Sequence, residues 1–277
     1  MQAFIKNPYL IYVRDNKLSN RSVREKKKVW AVATIGTALL LGLFGCMSEA
    51  EKSAGEEGAL IQEMPAESLK FTKFEGETKK SSGKIEGIPM LFQDPELPTG
   101  CEVTALAMVL QYYGFDADKC ELSDVYLPKG AVGETDFHYA FVGEPREQHS
   151  YGCYAPAIVE TALGYLGDMD GLQDYTVKDL TGMELKKLFR YVEEGIPVMV
   201  WGTMKNKESY LTTTWEVNGK TITWRAGEHC RVLVGYNKKL GIVQVNDPQE
   251  GVLTYDVSVF EERYNEMGKQ AVVILPE

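Results

Sequence analysis

Cys101 follows Pro98-Thr99-Gly100 and opens an apolar run, "CEVTALAMVLQYYG". A thiolate, not a thiol, attacks carbonyl carbon, and a free cysteine is mostly protonated near neutral pH. The first turn of a helix aims backbone N–H groups and the positive end of the dipole at such a sulfur, which lowers its pKa. Val103, Leu106, Ala107 and Leu110 follow i, i+3, i+4, i+7 spacing and predict that helix, with one buried face. Thr99 or Gly100 could cap it, and Gly100 allows a close backbone approach. A buried structural thiol is the competing explanation for Cys101.

A nucleophilic cysteine needs a base, and the base needs an acceptor that orients it. The chain has three histidines. His138 and His149 lie in "TDFHYAFVGEPREQHS", which reads as loop. His229 instead opens an apolar strand, "HCRVLVGYN". The next strand, "IVQVNDP", ends at Asn246 and Asp247. The turn between them, Lys238–Gly241, makes the two strands an antiparallel hairpin, so the start of one lies beside the end of the other. His229 should therefore meet Asn246 or Asp247 at one sheet edge. Neighbours on a strand point to opposite faces, so only one of the two can reach the imidazole.

The remaining elements must hold these groups in place. "IEGIPMLFQ" reads as an edge strand opening the folded body near Ile85. Helices are expected at Ala155–Leu166, with Pro156 in its first turn, and at about 182–194, stopped by Gly195. "IPVMVWGTM" is a continuous apolar strand. "YLTTTWEV" and "TITW" flank Asn218-Gly219, a hairpin turn. "QAVVIL" closes the chain as a strand. Helices precede most strands, so the class is α+β with an antiparallel sheet.

Composition bounds the setting. The chain has 277 residues, 44% hydrophobic and 25% charged, with formal net charge −10. Residues 1–28 carry eight Lys/Arg and two Asp/Glu. The remainder, with 22 Lys/Arg against 38 Asp/Glu, therefore carries all the net negative charge, which argues against a nucleic-acid partner. Val29 to Gly45 is uncharged and apolar behind Lys26-Lys27-Lys28, a pattern that directs the rest of the chain outward. Residues 1–46 thus read as a leader and membrane attachment. "LFGC" resembles a bacterial lipobox with Cys46 as the lipidated residue; an uncleaved anchor is the alternative. Residues 47–83 read as an acidic tether and 84–277 as the folded body. Five cysteines with no CxxC pair exclude a disulfide scaffold and a zinc ribbon, and no metal or organic cofactor is called for.

Taken in order, "IPMLFQDPELPTGCEVTALAMVLQYYG", "GCYAPAIVETA", "EEGIPVMVW" and "EHCRVLVGYN…VQVNDPQEG" resemble the C39-like cysteine peptidases, a papain-like group common in Gram-positive bacteria. The resemblance spans Ile88 to Gly251. It implies a papain-like fold in which the Cys101 helix packs on the sheet bearing His229. It implies Cys101 as nucleophile and His229 as general base, with Asp247 as third member and Asn246 still open. Gln93 corresponds to the glutamine that helps build the oxyanion hole. Cys153 and Cys230 fall inside the matching stretches and are candidates for a disulfide outside the cell. The absence of a GxxxxGK[ST] motif separates this chain from exporters fused to an ATP-binding cassette. The Trp201, Trp215 and Trp224 side chains read as sheet packing before groove walls. The reading is a membrane-tethered, extracytoplasmic cysteine peptidase acting on a peptide or protein. An acyltransferase or amidase on cell-wall peptide with the same triad, and a non-catalytic peptide-binding lipoprotein, are the alternatives.

Overall fold

A seven-stranded sheet is the frame on which the site is built. In the computed structural model, which describes residues 78–277, the strands run in the order β10-β9-β8-β5-β11-β4, with β1 added along β8. The strands are β1 (Ser82–Lys84), β4 (Tyr175–Asp179), β5 (Val198–Thr203), β8 (Glu228–Asn237), β9 (Ile242–Asp247), β10 (Gly251–Asp256) and β11 (Ala271–Pro276). Every pairing in this sheet is antiparallel. Two small ribbons lie apart from it. One is β2 (Lys129–Gly130) with β3 (Phe141–Val142), the other β6 (Tyr210–Val217) with β7 (Lys220–Ala226). The leader, Cys46 and most of the expected tether lie outside the described residues. Among the described residues, no helix is long and apolar enough to cross a membrane.

Alternation along the strands divides the core. Met199, Trp201, Cys230, Val232 and Val234 face one side, together with α1 (Cys101–Tyr112) and α3 (Ala155–Asp168). Val198, Val200, Leu233, Val243 and Val245 face the other, with α4 (Leu185–Glu193) and α5 (Val257–Glu266). A short helical turn, α2 (Lys119–Glu121), leads into a π-helical turn at Leu122–Tyr126 beside α1 and α3.

The α1 helix is buried over its whole circumference from Cys101 to Leu110, not along one stripe. The sheet lies on one side and α3 and the π-helical turn on another, so Ala105 and Ala107 are as enclosed as Leu106 and Leu110. Each of those leucines contributes about 1.5–3 kcal/mol by leaving water. Gly114, at φ +91°, ends the helix run.

Three boundaries differ from the sequence reading. The expected edge strand over 85–93 is absent; pairing with β8 instead involves Ser82–Lys84. The folded body therefore includes residues assigned to the tether, and Thr78 is buried. Ile85 N–H still donates to Val234 O at 2.8 Å, after which the chain turns away toward the site. Finally, the Asn218-Gly219 hairpin forms as expected, with φ of +50° and +76°, but as a separate ribbon.

Candidate active site

The gap that receives the nucleophile comes from strand register. β9 pairs with β8 only from Val232↔Asn246 to Asn237↔Ile242. The first residues of β8 stay paired to β5 on their other side, His229 opposite Gly202 and Cys230 opposite Trp201. The β8 edge at 229–231 thus lacks a strand neighbour. The start of α1 fills that space, and the Cys230 N–H donates to Cys101 Sγ at 3.4 Å. Gly100 is needed for this approach, since a Cβ there would sit 2.8 Å from Leu97 Cβ. The cap of α1 is Gly100 with no side-chain hydrogen bond; Thr99 Oγ1 donates to the Glu147 carbonyl at 2.9 Å instead.

Cys101, His229 and Gln93 line one cleft of about 540 Å³, together with His149, Trp224 and Glu228. His229 Nε2 lies 2.8 Å from Asp247 Oδ1. Asp247 shares a face with Val243 and Val245, while Asn246 is directed to the other face. The imidazole therefore meets the aspartate. Gln249 N–H also donates to Asp247 Oδ1 at 2.8 Å. With Nε2 engaged, Nδ1 is the nitrogen left for proton exchange.

Arg231 completes this face. It is wholly buried, two positions from His229 on the same strand. Its Nε donates to Asp247 Oδ2 at 2.8 Å, Nη1 to Asn206 Oδ1 at 2.9 Å, and Nη2 to the Thr203 carbonyl. The guanidinium lies 5.2 Å from the Tyr255 ring centroid. Burial opposes the Asp247 charge. The hydrogen bond from His229, with the charges of His229 and Arg231, nevertheless holds its carboxyl well below the usual carboxylate range. Burial pulls the His229 imidazole below its ordinary value, Asp247 works against this and Arg231 with it. At neutral pH the ring is uncharged and able to accept a proton.

The thiol departs from the sequence expectation. Burial first, then the charges of Glu102 and Glu228, push Cys101 well above the ordinary cysteine value, and the Cys230 N–H only partly offsets them. Its hydrogen bonds run to Glu102 Oε2, 3.3 Å away, and from the Cys230 N–H; none runs to His229. The helix terminus thus does not prevail in this conformation. The candidate Cys153–Cys230 bridge is not formed, and both are buried free thiols. Cys153 has different neighbours to serve: its N–H donates to Glu102 Oε1 at 2.8 Å, and its carbonyl accepts from Trp201 Nε1 at 2.9 Å.

Gln93 is buried, and its Nε2 donates to the Pro98 carbonyl at 2.7 Å. A primary amide carries a second N–H, so one donor remains for the cleft. Trp224 lines the cleft from the separate ribbon and is ringed by Phe137, Tyr151 and Tyr154, whereas Trp201 is sheet core. The sequence reading passed over Arg231, whose available signal was a charge inside an apolar strand, on the histidine's face. Glu102 and Glu228 carried no comparable signal. His138 stays in a loop, bonded to Asp136.

The fold of this chain is shared with known proteins. A family model described as "Peptidase_C39 like family" matches residues 85–272. The Bacillus subtilis (strain 168) protein YvpB, described as uncharacterized, is 35% identical over 186 residues, covering 65% of this chain and 70% of that one. A crystal structure described as a putative C39-like peptidase from Bacillus anthracis superposes with a TM-score of 0.63 at 29% identity, covering 72% of this chain and 99% of that one.

Proposed function

This chain belongs to the C39-like peptidase family, and on that premise we propose that it is a cysteine peptidase that cleaves a peptide or protein through Cys101, His229 and Asp247. One observation carries the reading. The helix-borne thiol and an imidazole gripped at 2.8 Å by a buried aspartate open onto the same cleft.

In this reading, substrate entering the cleft draws the Cys101 sulfur from Glu102 toward His229 Nδ1. The imidazole takes the thiol proton as sulfur attacks the scissile carbonyl. The Cys101 N–H, one of the unpaired donors of the first helical turn, and the second Gln93 N–H receive the developing oxyanion. His229 returns the proton to the departing amine, and water, activated by the same ring, resolves the thioester. Asp247 keeps the Nε2 proton in place and steadies the imidazolium; Arg231 keeps Asp247 charged.

The same proposal puts the body on the outer face of a cell membrane, held either by a lipid on Cys46 as the new amino terminus or by residues 1–46 as an uncleaved anchor. Metabolic labelling with a fatty-acid analogue, lost in Cys46→Ala, separates these two attachments. The peptidase itself is tested with a fluorogenic peptide library and the full-length chain. Cleavage is expected, with loss on His229→Ala. Equal cleavage by both proteins would overturn the reading.

A further inference from the structure

Two buried glutamates beside the nucleophile have no counter-ion. Glu102 is 1% exposed and Glu228 8% exposed. One oxygen of each lies within 4.8 Å of the other and of Cys101 Sγ. Their closeness is visible at Gly152, where an added Cβ would stand 2.8 Å from Glu102 Oε1 and equally from Glu228 Oε2. Glu102 accepts from the Cys153 N–H at 2.8 Å and from the thiol at 3.3 Å. Glu228 Oε1 is buried with no hydrogen-bond partner.

The groups facing this pair come from three elements. They are Cys101 on α1, Cys153 and Tyr154 ahead of α3, and Cys230 and Arg231 on β8. Arg231 is the cation among them, and its guanidinium is spent on Asp247, Asn206 and Thr203. Two like charges this close, out of water and unpaired, cannot both persist.

We propose that Glu102 and Glu228 carry one proton between them and serve as a resting station for the nucleophile, accepting the Cys101 S–H and holding the sulfur neutral and turned away from His229 until substrate arrives. Burial drives both carboxyls upward, Glu102 to about 7 and Glu228 well above the usual range. The single negative charge left on the pair disfavours a thiolate at rest. The sulfur is thereby kept from adventitious alkylation and oxidation. Glu102 and Glu228 are positioning residues, since they act through Cys101. The proton on the pair stands independently of the peptidase reading; its use in catalysis rests on that reading.

Infrared spectroscopy of the full-length chain tests the proton without substrate. A protonated-carboxyl carbonyl band is expected that weakens as Glu102 ionises near pH 7 but persists above it on the pair, and that is absent from Glu102→Gln/Glu228→Gln. Iodoacetamide alkylation, mapped by mass spectrometry to Cys101, tests the station. The double variant should react at least about tenfold faster at pH 7, because a unit fall in thiol pKa is a tenfold gain in thiolate. Absence of the band in the wild type, or its emergence only after chelation of a bound cation, would overturn the shared proton. An unchanged Cys101 alkylation profile in a folded double variant would overturn the station. Peptide cleavage is scored separately, so a failed peptidase assay leaves both results readable.

Discussion

Replacing Arg231 with Met removes the cation from a pair whose side chains are 0% and 1% exposed. Asp247 is then left buried beside His229 without the Nε donor at 2.8 Å. Breaking one side of such a buried pair typically costs about 3–5 kcal/mol. For a folded body of this size, each kcal/mol moves Tm by about 2–4 °C, so a fall of roughly 6–20 °C is expected. Asp247→Asn strands the guanidinium instead and costs a similar amount. The double variant removes both charges, and only the Thr203 carbonyl and Asn206 lose a partner, at about 1–3 kcal/mol each. Its cost should fall short of the sum of the singles by at least about 2 kcal/mol. Urea unfolding of the four proteins measures this. Activity should not recover with stability: Asp247→Asn and the double variant should both lose on the order of 10³–10⁴ in kcat/KM, since neither holds the imidazole with a carboxylate. A double-variant cost equal to the sum of the singles, or an Arg231→Met protein within about 1 kcal/mol of wild type, would refute the claim that Arg231 sustains the Asp247 charge.

Four further outcomes follow from the site. The raised carboxyls of Glu102 and Glu228 contribute stability that is full below about pH 4.5 and is lost as pH rises, for Glu102 through about 7, so urea midpoints should decline from about pH 5 upward, and less in the Glu102→Gln/Glu228→Gln protein. The depressed His229 has the opposite sign: its contribution is present above about pH 6.5 and lost at lower pH, which His229→Gln should remove from the acid limb of the same curve. Gly152→Ala, at φ +143° and with its Cβ 2.8 Å from an oxygen of each glutamate, should lower stability by about 1–3 kcal/mol and speed Cys101 alkylation by separating the pair, both read on one sample by melting and mass mapping. Gln93→Ala should lower kcat by about 10²–10³ with little change in KM, the mark of a donor used in the transition state.

Much of this site could be read along single strands and helices. Cys101 announces itself by sitting where an apolar period begins, and His229 with Asp247 by lying at opposite ends of a hairpin. Alternation then chose between Asp247 and Asn246 once the register was known. What escaped was set by tertiary neighbours. Glu102 looks like a solvated first-turn acid, because helical spacing does not show that α3 and β8 close over α1. Glu228 is 126 positions away in sequence, and only the space left by Gly152 brings the two together. The ribbon of β6 and β7 was legible as a hairpin, but turn chemistry does not say which sheet a hairpin joins. β4, β10 and α5 were missed: Tyr175–Asp179 and Gly251–Asp256 are short, only partly buried strands at the two ends of the sheet. For α5, the Asp256 cap, which accepts from the Ser258 and Val259 N–H groups, was the available signal.

The most direct test of the account is to trap the acyl-enzyme. A peptide identified as a substrate is mixed with the full-length chain, quenched in acid before turnover completes, and the chain is digested and weighed. The account predicts an acyl group on the peptide carrying Cys101, and loss of both adduct and cleavage in Cys101→Ala. Cleavage undiminished in Cys101→Ala, or an acyl group found on Cys120 instead, would contradict it.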